Sequence, residues 1–333
     1  MILVTGGTGL VGSHLLFQLV KDGQQVRALR RANSCIDELK KVFEFYQEDS
    51  SDLFQKIEWF EGDLLNYFSL KDALLGVSKV YHCAAMVSFK PSDAMEMFST
   101  NVEGTANLVN ACIELNVPRF CFVSSIATLG KPLEGEVIDE STFWQNDDNH
   151  SVYSQSKFRA EMEVWRGTKE GLNAVVVNPS VILGPVGLER STGQLFKSVM
   201  NGVRFYTAGA TGFVGVRDVV KVMIALANSD VVNERYVINA ENIAYKKFMA
   251  MAAGALNVKA PKVKAVRWMV SLAWRIERLR YYITRKEPRL TKETARTSQH
   301  KSFYSDAKLQ AYMPFKYISI QDSIENTAKY LKE

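Results

Sequence analysis

The sequence predicts an α/β fold with a doubly wound parallel sheet and a smaller C-terminal lobe. Over the first half of the chain, short apolar runs alternate with segments of helical periodicity. Helical segments separate these runs, so crossovers must connect neighbouring strands in a parallel sheet that is covered on both faces. The 333 residues also exceed the size at which one hydrophobic core usually stops growing, which leaves room for a second lobe.

The elements follow in a regular order. An apolar strand at 2–5 ends in glycines, and helical periodicity then runs over 10–22. Further apolar runs predict strands at 26–29, 57–60, 80–84, 120–124, 172–178 and 236–239. Further helical patterns lie near 66–75, 94–116 and 152–169. After Pro179 this regularity fades into glycine-rich loops and short helical patterns.

A glycine-rich turn joins the first strand to the first helix. Gly6, Gly9 and Gly12 are three residues apart at the mouth of that helix. Glycine permits the tight turn and the close approach of a pyrophosphate, to which the helix N-terminus offers free N–H groups. We therefore predict a dinucleotide-binding Rossmann domain over 1–178 and a mainly substrate-binding lobe over 179–333, from which 212–240 is a candidate to return to the sheet.

Arg30 and Arg31 end the second strand. NAD-binding sheets usually carry an acidic residue here for the ribose 2′-hydroxyl, whereas arginine pairs with the 2′-phosphate of NADP. The sequence therefore favours NADP(H) over NAD(H), the alternative being two solvated arginines at the start of a loop. Ser34 is a further candidate for the phosphate and Asp63 for the adenine amino group, while small residues at 84–85 would let a backbone pass the cofactor.

Tyr153 and Lys157 are four residues apart and share one face of the predicted helix at 152–169. A nearby lysine cation favours the phenolate, so Lys157 would lower the pKa of Tyr153 and make it a general acid and base. Ser125 follows a strand at the edge where open α/β sheets bind ligands, and it would polarise a substrate oxygen. Ser124 is the alternative hydroxyl.

Composition excludes several other classes of protein. Apolar residues make up 47% and charged residues 23%, as in ordinary folded proteins. A net charge of +5 gives no reason to expect nucleic-acid binding unless it clusters. Four scattered cysteines predict neither a disulfide framework nor a metal site, and no secretory signal is apparent, so we expect a reducing cytoplasm. No apolar run is long enough to predict a membrane-spanning helix.

The segment 262–286 predicts a basic amphipathic helix. Apolar residues including Val266, Val270 and Ile276 fall near one face, and basic residues including Arg267 and Arg275 occupy the rest. Such a helix is able to lie on an anionic membrane or admit a lipid-like substrate; alternatively, it packs its apolar stripe onto the lobe.

Together these motifs resemble the extended branch of the short-chain dehydrogenase/reductase superfamily. The resemblance rests on the sequences at 5–12, 63–64, 82–85, 101–105, 124–130, 153–157 and 178–180. Within that branch, the sequences at 26–31, 123–130 and 285–291 are more similar to the dihydroflavonol-4-reductase and 3β-hydroxysteroid-dehydrogenase-like members than to the UDP-galactose epimerases.

The resemblance implies a Ser-Tyr-Lys triad and a homodimer formed through the helices near 94–116 and 152–169. It selects Ser125 as the catalytic serine and makes Asn101 the helix asparagine that supports the lysine through water. The cofactor-binding residues it implies are Gly6, Thr8, Gly9, Leu10, Gly12, Arg30, Arg31, Asp63, Leu64, Ala84, Ala85, Tyr153, Lys157, Pro179 and Ser180.

The leading functional prediction is an NADP(H)-dependent oxidoreductase that interconverts a ketone or aldehyde and an alcohol on a hydrophobic small molecule. Met86, Phe89 and Trp144 are candidates to line an apolar substrate pocket. One alternative is a nucleotide-sugar epimerase or dehydratase, in which hydride leaves the substrate and returns to it. Another is a non-catalytic NADP(H)-binding sensor or scaffold. His82 is expected to be a packing residue at a strand end.

Overall fold

The computed structural model describes residues 1–88, 90–130, 136–145, 150–189, 192–284 and 292–332. The candidate pocket residue Phe89, the motif at 285–291 and the last two residues of the segment 262–286 lie outside these ranges. The strands are β1 Ile2–Thr5, β2 Val26–Arg30, β3 Ile57–Glu61, β4 Lys79–His82, β5 Arg119–Val123, β6 Ala174–Pro179, β7 Val181–Leu183, β8 Phe205–Tyr206, β9 Ala210–Gly215, β10 Glu234–Ile238, β11 Glu241–Ala244 and β12 Val263–Lys264.

The helices are numbered in chain order. They are α1 Leu10–Lys21, α2 Asp37–Tyr46, α3 Ser51–Gln55, α4 Tyr67–Ala73, α5 Ala94–Phe98, α6 Gly104–Glu114, α7 Val152–Lys169, α8 Gly193–Met200, α9 Val216–Ala227, α10 Tyr245–Leu256, α11 Arg267–Thr284, α12 Lys292–Thr297, α13 Ala307–Tyr312 and α14 Ile320–Lys332. Within the described residues, none of these helices is both long enough and apolar enough to cross a lipid bilayer.

A seven-stranded parallel sheet forms the centre of the fold, in the order β10-β6-β5-β4-β1-β2-β3. The strand order reverses direction between β1 and β4, which is the topology of a doubly wound Rossmann sheet and confirms the predicted fold class. After β6 the chain leaves this sheet, and it comes back at β10, which pairs with β6. The carboxyl ends of all seven strands therefore lie along one edge.

Alternating residues of the strands serve two separate cores. Val4, Cys121 and Val177 belong to the core under α1 and α9, whereas Leu3 and Phe122 belong to the core under α4, α6 and α7. Successive side chains of a strand point to opposite faces, so a sheet covered on both sides needs apolar residues at nearly every position. This explains why the strands appear in the sequence as continuous apolar runs.

The lobe has a core of its own. Strands β7, β9 and β11 form a small mixed sheet, and Phe213 of β9 stacks on Phe248 of α10, with ring centroids 4.9 Å apart. Residues of α8 and α14 complete this cluster. The segment between Ala174 and Ile238 thus contributes to both the large sheet and the lobe.

Several boundaries differ from the prediction. The helix predicted near 94–116 is α5 and α6 joined through a π-helical turn at Ser99–Glu103. The strand predicted at 80–84 ends at His82, although the Cys83 N–H still donates to the Thr5 carbonyl at 3.2 Å.

Candidate active site

The glycine turn has the geometry that a dinucleotide requires. Gly6 adopts φ +69°, and a Cβ there would lie 2.5 Å from the Ala84 nitrogen. A Cβ on Gly12 would lie 2.2 Å from the Gly6 carbonyl oxygen. Gly9 is the N-cap of α1 and brings no capping side chain, so the first-turn N–H groups face an open turn. The turn therefore fits a pyrophosphate.

Thr8 and Leu10 flank this cap. Leu10 buries its side chain against Val186 and Val216, which leaves its backbone N–H as the group that a phosphate would reach.

Arg30 is a partly buried cation at the end of β2. Its guanidinium lies over the Trp59 ring, 5.9 Å from the centroid, and its Nε has no hydrogen-bond partner among the described residues. Arg31 is exposed, and its backbone N–H donates to Ser34 Oγ at 3.1 Å. An orphaned buried donor favours an anionic partner, so Arg30 fits a phosphate better than the exposed Arg31 does.

The other predicted cofactor residues also follow strand ends at this edge. Asp63 Oδ1 accepts the N–H of Leu65 at 2.9 Å, which shapes the loop after β3. The carbonyl of the buried Leu64 accepts from Asn107 Nδ2 at 3.0 Å. Ala84 and Ala85 follow β4, and the Ala84 N–H donates to Thr5 Oγ1 at 3.3 Å. Pro179 ends β6, and the next residue, Ser180, is buried with no hydrogen-bond partner for its Oγ within the described chain.

Lys157 is fully enclosed at the end of β5. Its Nζ donates to the Val123 carbonyl at 2.9 Å and lies 4.3 Å from the centroid of the Phe122 ring. Burial lowers the pKa of Lys157 to about 8, and the carboxylate of Glu161 opposes this shift. Near neutral pH the ammonium is retained, held by a carbonyl, an aromatic face and a carboxylate one helical turn away.

Tyr153 and Ser125 meet at the mouth of this site. Burial raises the pKa of the Tyr153 phenol, and a hydrogen bond between the Tyr153 and Ser125 side chains lowers it. Ser125 Oγ also accepts the Ala127 N–H at 3.1 Å, which fixes the hydroxyl at the start of a 3₁₀ turn. The lowering of this pKa by Lys157 stays a prediction.

Ser124 points away from that mouth. It is buried, and its hydroxyl donates to Glu161 Oε2. Glu161 also accepts from Thr128, Asn178, Trp165 and Arg235, at distances of 2.8–3.1 Å. The geometry therefore favours Ser125 over Ser124 as the serine that faces a substrate.

Asn101 lies within the π-helical turn at Ser99–Glu103. Its Oδ1 accepts the Met86 N–H at 2.7 Å, and its Nδ2 donates to the Met86 carbonyl and to Ser156 Oγ, each at 3.0 Å. Among the hydrogen bonds of the described residues, none joins the Asn101 side chain to Lys157. Asn101 therefore ties the loop after β4 to α7, and its support of Lys157 through water stays a prediction.

His82 forms a buried bridge between the glycine loop and this turn. Its Nδ1 lies 2.6 Å from Thr5 Oγ1, and its Nε2 lies 2.9 Å from Thr105 Oγ1. Thr105 donates to the Asn101 carbonyl, which assigns the proton of the ring to Nε2. Burial, helped by the Lys157 cation, lowers the pKa of His82 to about 3, so the ring stays neutral.

Of the predicted pocket residues, Trp144 lies against α7 and Met86 lies in the loop after β4. Met86 is bound to Asn101 through its backbone, and the Trp144 ring stacks on Phe158 with centroids 4.3 Å apart. Sequence reasoning missed Glu161. The signal was present, because Glu161 follows Lys157 by four residues and so lies on the same buried face of the helix.

Comparisons with known proteins agree with this architecture. Residues 2–239 match the model of the NAD dependent epimerase/dehydratase family. The chain is 27% identical over 340 residues to a Synechocystis sp. protein named for dihydroflavonol 4-reductase activity, covering 99% of this chain and 94% of that protein. It is 31% identical over 242 residues to sterol demethylase protein B of Methylococcus capsulatus, covering 72% and 70%.

Solved structures extend the likeness over the whole chain. The crystal structure of gox2253 superposes with a TM-score of 0.82 at 29% identity, covering 100% of this chain and 98% of that one. A UDP-glucose 4-epimerase from Thermus thermophilus, in complex with NAD, gives a TM-score of 0.76 at 22% identity, covering 99% and 98%. The second likeness concerns the fold alone.

Proposed function

Since the chain belongs to the NAD dependent epimerase/dehydratase family and is an NAD(P)-dependent oxidoreductase of the extended short-chain type, we propose that it interconverts a ketone or aldehyde with an alcohol on a hydrophobic small molecule. The observation that carries this proposal is the hydrogen-bonded pair of hydroxyls, Ser125 and Tyr153, one helical turn from the buried Lys157. The names of two relatives refer to a dihydroflavonol and a sterol, which supports an apolar ring-containing substrate.

The proton chemistry follows from these groups. When bound, the nicotinamide supplies or accepts a hydride. Tyr153 donates its phenolic proton to the substrate oxygen during reduction and takes one back during oxidation. Ser125, which is held by the Ala127 N–H, hydrogen-bonds the same oxygen and stabilises the negative charge that develops there.

Lys157 has two roles in this proposal. Its cation lies one helical turn after Tyr153 on α7, where it would favour the phenolate once Tyr153 has given up its proton. It would also reach the nicotinamide ribose, as the resemblance to the superfamily implies. Glu161 keeps this cation charged by raising its pKa against the effect of burial.

We propose NADP(H) as the preferred nucleotide. Arg30 supports this choice, because its guanidinium has a buried nitrogen without a partner within the described chain, at the strand end where the 2′-phosphate is expected. The open turn at Gly9 would hold the pyrophosphate, with Asp63, Leu64, Ala84, Ala85, Pro179 and Ser180 as the remaining contacts. A homodimer and a reducing cytoplasm stay predictions.

The substitution Tyr153→Phe tests the proposal. Purified protein would be assayed through the absorbance of reduced nicotinamide, with a panel of apolar ketones and aldehydes. We expect turnover to fall by roughly 10²- to 10⁴-fold while nucleotide binding is kept, because only the proton donor is lost. Tyr312→Phe, at an exposed tyrosine, is the matched control.

Two outcomes would redirect the proposal. Unchanged turnover in Tyr153→Phe would remove Tyr153 from the proton transfer. A wild-type protein that converts a nucleotide sugar with no change in free cofactor absorbance would support the epimerase or dehydratase alternative.

A further inference from the structure

Helix α11 has two apolar faces, of which one is buried. Val270 packs with Ala265 and with Ala295 of α12, and Trp274 contacts this cluster. This buried face agrees with the sequence-based alternative that the helix packs its apolar stripe onto the lobe. That alternative does not account for Ile276 and Val266, which were assigned to the same stripe but are exposed.

The second face is an exposed ridge of large apolar side chains. Its members are spaced three or four residues apart, which puts them on one side of the helix. Their exposed fractions are 68% for Trp268, 51% for Leu272, 56% for Ile276, 61% for Leu279 and 74% for Ile283. We call these five residues the apolar ridge. Five such side chains in a row exceed the scattered apolar residues that a protein surface normally carries.

Basic residues border the apolar ridge. At 100° per residue, Arg275 and Arg278 fall on one side of it and Arg280 on the other. Arg267, Arg275 and Arg278 are exposed. The acidic residue of this helix, Glu277, lies on the far side and binds Arg280 at 2.8 Å. The face around the ridge is therefore strongly positive.

The charge of the whole chain is concentrated here. Residues 262–284 contain six basic side chains and one acidic side chain, a net charge of +5 that equals the net charge of all 333 residues. The remainder of the chain is neutral as a whole. The net charge of the chain is therefore clustered in this segment, which is the condition under which a mild overall charge becomes a binding surface.

We propose that the apolar ridge and its arginines dock the protein on the surface of a bilayer that contains anionic lipids. The ridge would enter the boundary between headgroups and acyl chains, and the arginines would pair with lipid phosphates. A second copy of the chain would bring the same positive faces together, and a nucleic acid would leave the ridge in water. Anionic lipid is the partner that satisfies both features.

Vesicle co-sedimentation tests this proposal on the full chain. One set of vesicles contains phosphatidylcholine alone and the other contains phosphatidylcholine with phosphatidylglycerol. We expect binding to the anionic vesicles, weakened by salt, and a blue shift of tryptophan fluorescence that is smaller in Trp268→Phe. Neutralising Arg275 and Arg278 with glutamine should lower the partition coefficient roughly 25-fold, since each basic residue near the surface contributes about five-fold.

The apolar ridge is tested separately. The double variant Leu272→Gln and Ile276→Gln should lose most binding, whereas Phe68→Gln and Met95→Gln should keep it. Phe68 and Met95 are exposed to 77% and 85% but lie on α4 and α5, so they match the loss of apolar surface without touching the ridge. Circular dichroism and thermal unfolding confirm that each variant is folded.

Three results would overturn the proposal. The first is no binding to anionic vesicles, and the second is equal, salt-insensitive binding to both kinds of vesicle. The third is a ridge variant that alters the oligomeric state in analytical ultracentrifugation while vesicle binding is absent, which would make the ridge a protein interface. Each result is independent of the oxidoreductase activity.

Discussion

Lys157 is the residue at which burial and charge oppose each other most directly. Its ammonium is almost inaccessible to solvent, and the pKa near 8 reflects the cost of keeping it charged there. The cation remains because the Val123 carbonyl, the Phe122 ring and the Glu161 carboxylate surround it. An activity that needs this cation is therefore present below about pH 8 and lost as pH rises through that value.

Glu161→Gln should shift this alkaline limit to lower pH, because the variant removes the carboxylate that raises the pKa of Lys157. It should also destabilise the fold by about 3–5 kcal/mol, since Arg235 would lose its partner in a buried ion pair. The pH profile of turnover and chemical unfolding measure the two effects. Glu163→Gln is the control on the same helix, where a half-exposed pair with Arg166 predicts about 0–1 kcal/mol. An unchanged alkaline limit in Glu161→Gln would show that Glu161 does not raise the pKa of Lys157.

Arg30→Ala should lower the affinity for NADPH at least ~10-fold and leave the affinity for NADH unchanged. The reason is that the proposed contact of the Arg30 guanidinium is with the 2′-phosphate, which NADPH carries and NADH lacks. Parallel titrations with NADPH and NADH measure this, with Arg31→Ala as a second arm and Lys41→Ala, on the exposed side of α2, as the control. Equal affinities of the wild-type protein for NADPH and NADH would contradict the proposal that Arg30 binds the 2′-phosphate.

Strands and helices were predicted best from the sequence where a local pattern has one structural solution. Strand β1 and helix α7 have the predicted boundaries, because an apolar run before glycines and a capped periodic segment are each unambiguous. Ser151 supplies that cap by accepting the Ser154 N–H. The π turn at Ser99–Glu103 has no such local signal, and the contact that its Asn101 makes with Met86, in the loop after β4, requires the tertiary structure.

At α11, the helical periodicity assigned Val266 and Ile276 to the buried stripe, but both side chains are exposed. Periodicity identifies an amphipathic helix but does not say which apolar residues meet the lobe. That choice depends on where Ala265 and Ala295 lie in the fold, and they select Val270. Part of the active site was likewise predictable from the sequence, since Tyr153 and Lys157 follow from their spacing. The contacts of Glu161 were not, because they connect residues of β6, β10 and α7 and the residue after β5, which only the tertiary structure brings together.

The glycine turn leaves no room for a side chain at Gly12. Gly12→Ala should abolish tight NADPH binding and destabilise the protein by roughly 1–3 kcal/mol, because the new Cβ would lie 2.2 Å from the Gly6 carbonyl oxygen and force α1 away from β1. Gly254→Ala is the matched control. Gly254 lies inside α10 with no atom within 4 Å of a new Cβ, so alanine there should stabilise the helix by about 0.5–1 kcal/mol. Thermal unfolding and nucleotide titration compare the two, and normal NADPH binding in Gly12→Ala would contradict the role of the turn.

The large sheet and the lobe share one continuous segment of the chain, from Ala174 to Ile238. Helix α9 contributes Val219, Val222, Met223 and Leu226 to the core under α1, and β10 covers the edge of β6. A chain cut after residue 178 would keep the glycine turn and the catalytic residues. It would nevertheless lose one side of that core and expose β6, which is buried along its whole length.

We therefore expect the fragment 1–178 to remain unfolded or aggregated, although it carries the predicted nucleotide-binding motifs. An uncovered apolar strand is a site for aggregation, and removal of several buried aliphatic side chains at about 1.5–3 kcal/mol each exceeds the stability of a typical domain. The fragment 1–240 restores α9 and β10 and should recover more secondary structure. Circular dichroism, denaturant unfolding and NADPH titration of the two fragments measure the difference. A cooperatively folded, NADPH-binding fragment 1–178 would instead show that the dinucleotide-binding domain ends where the first six strands do.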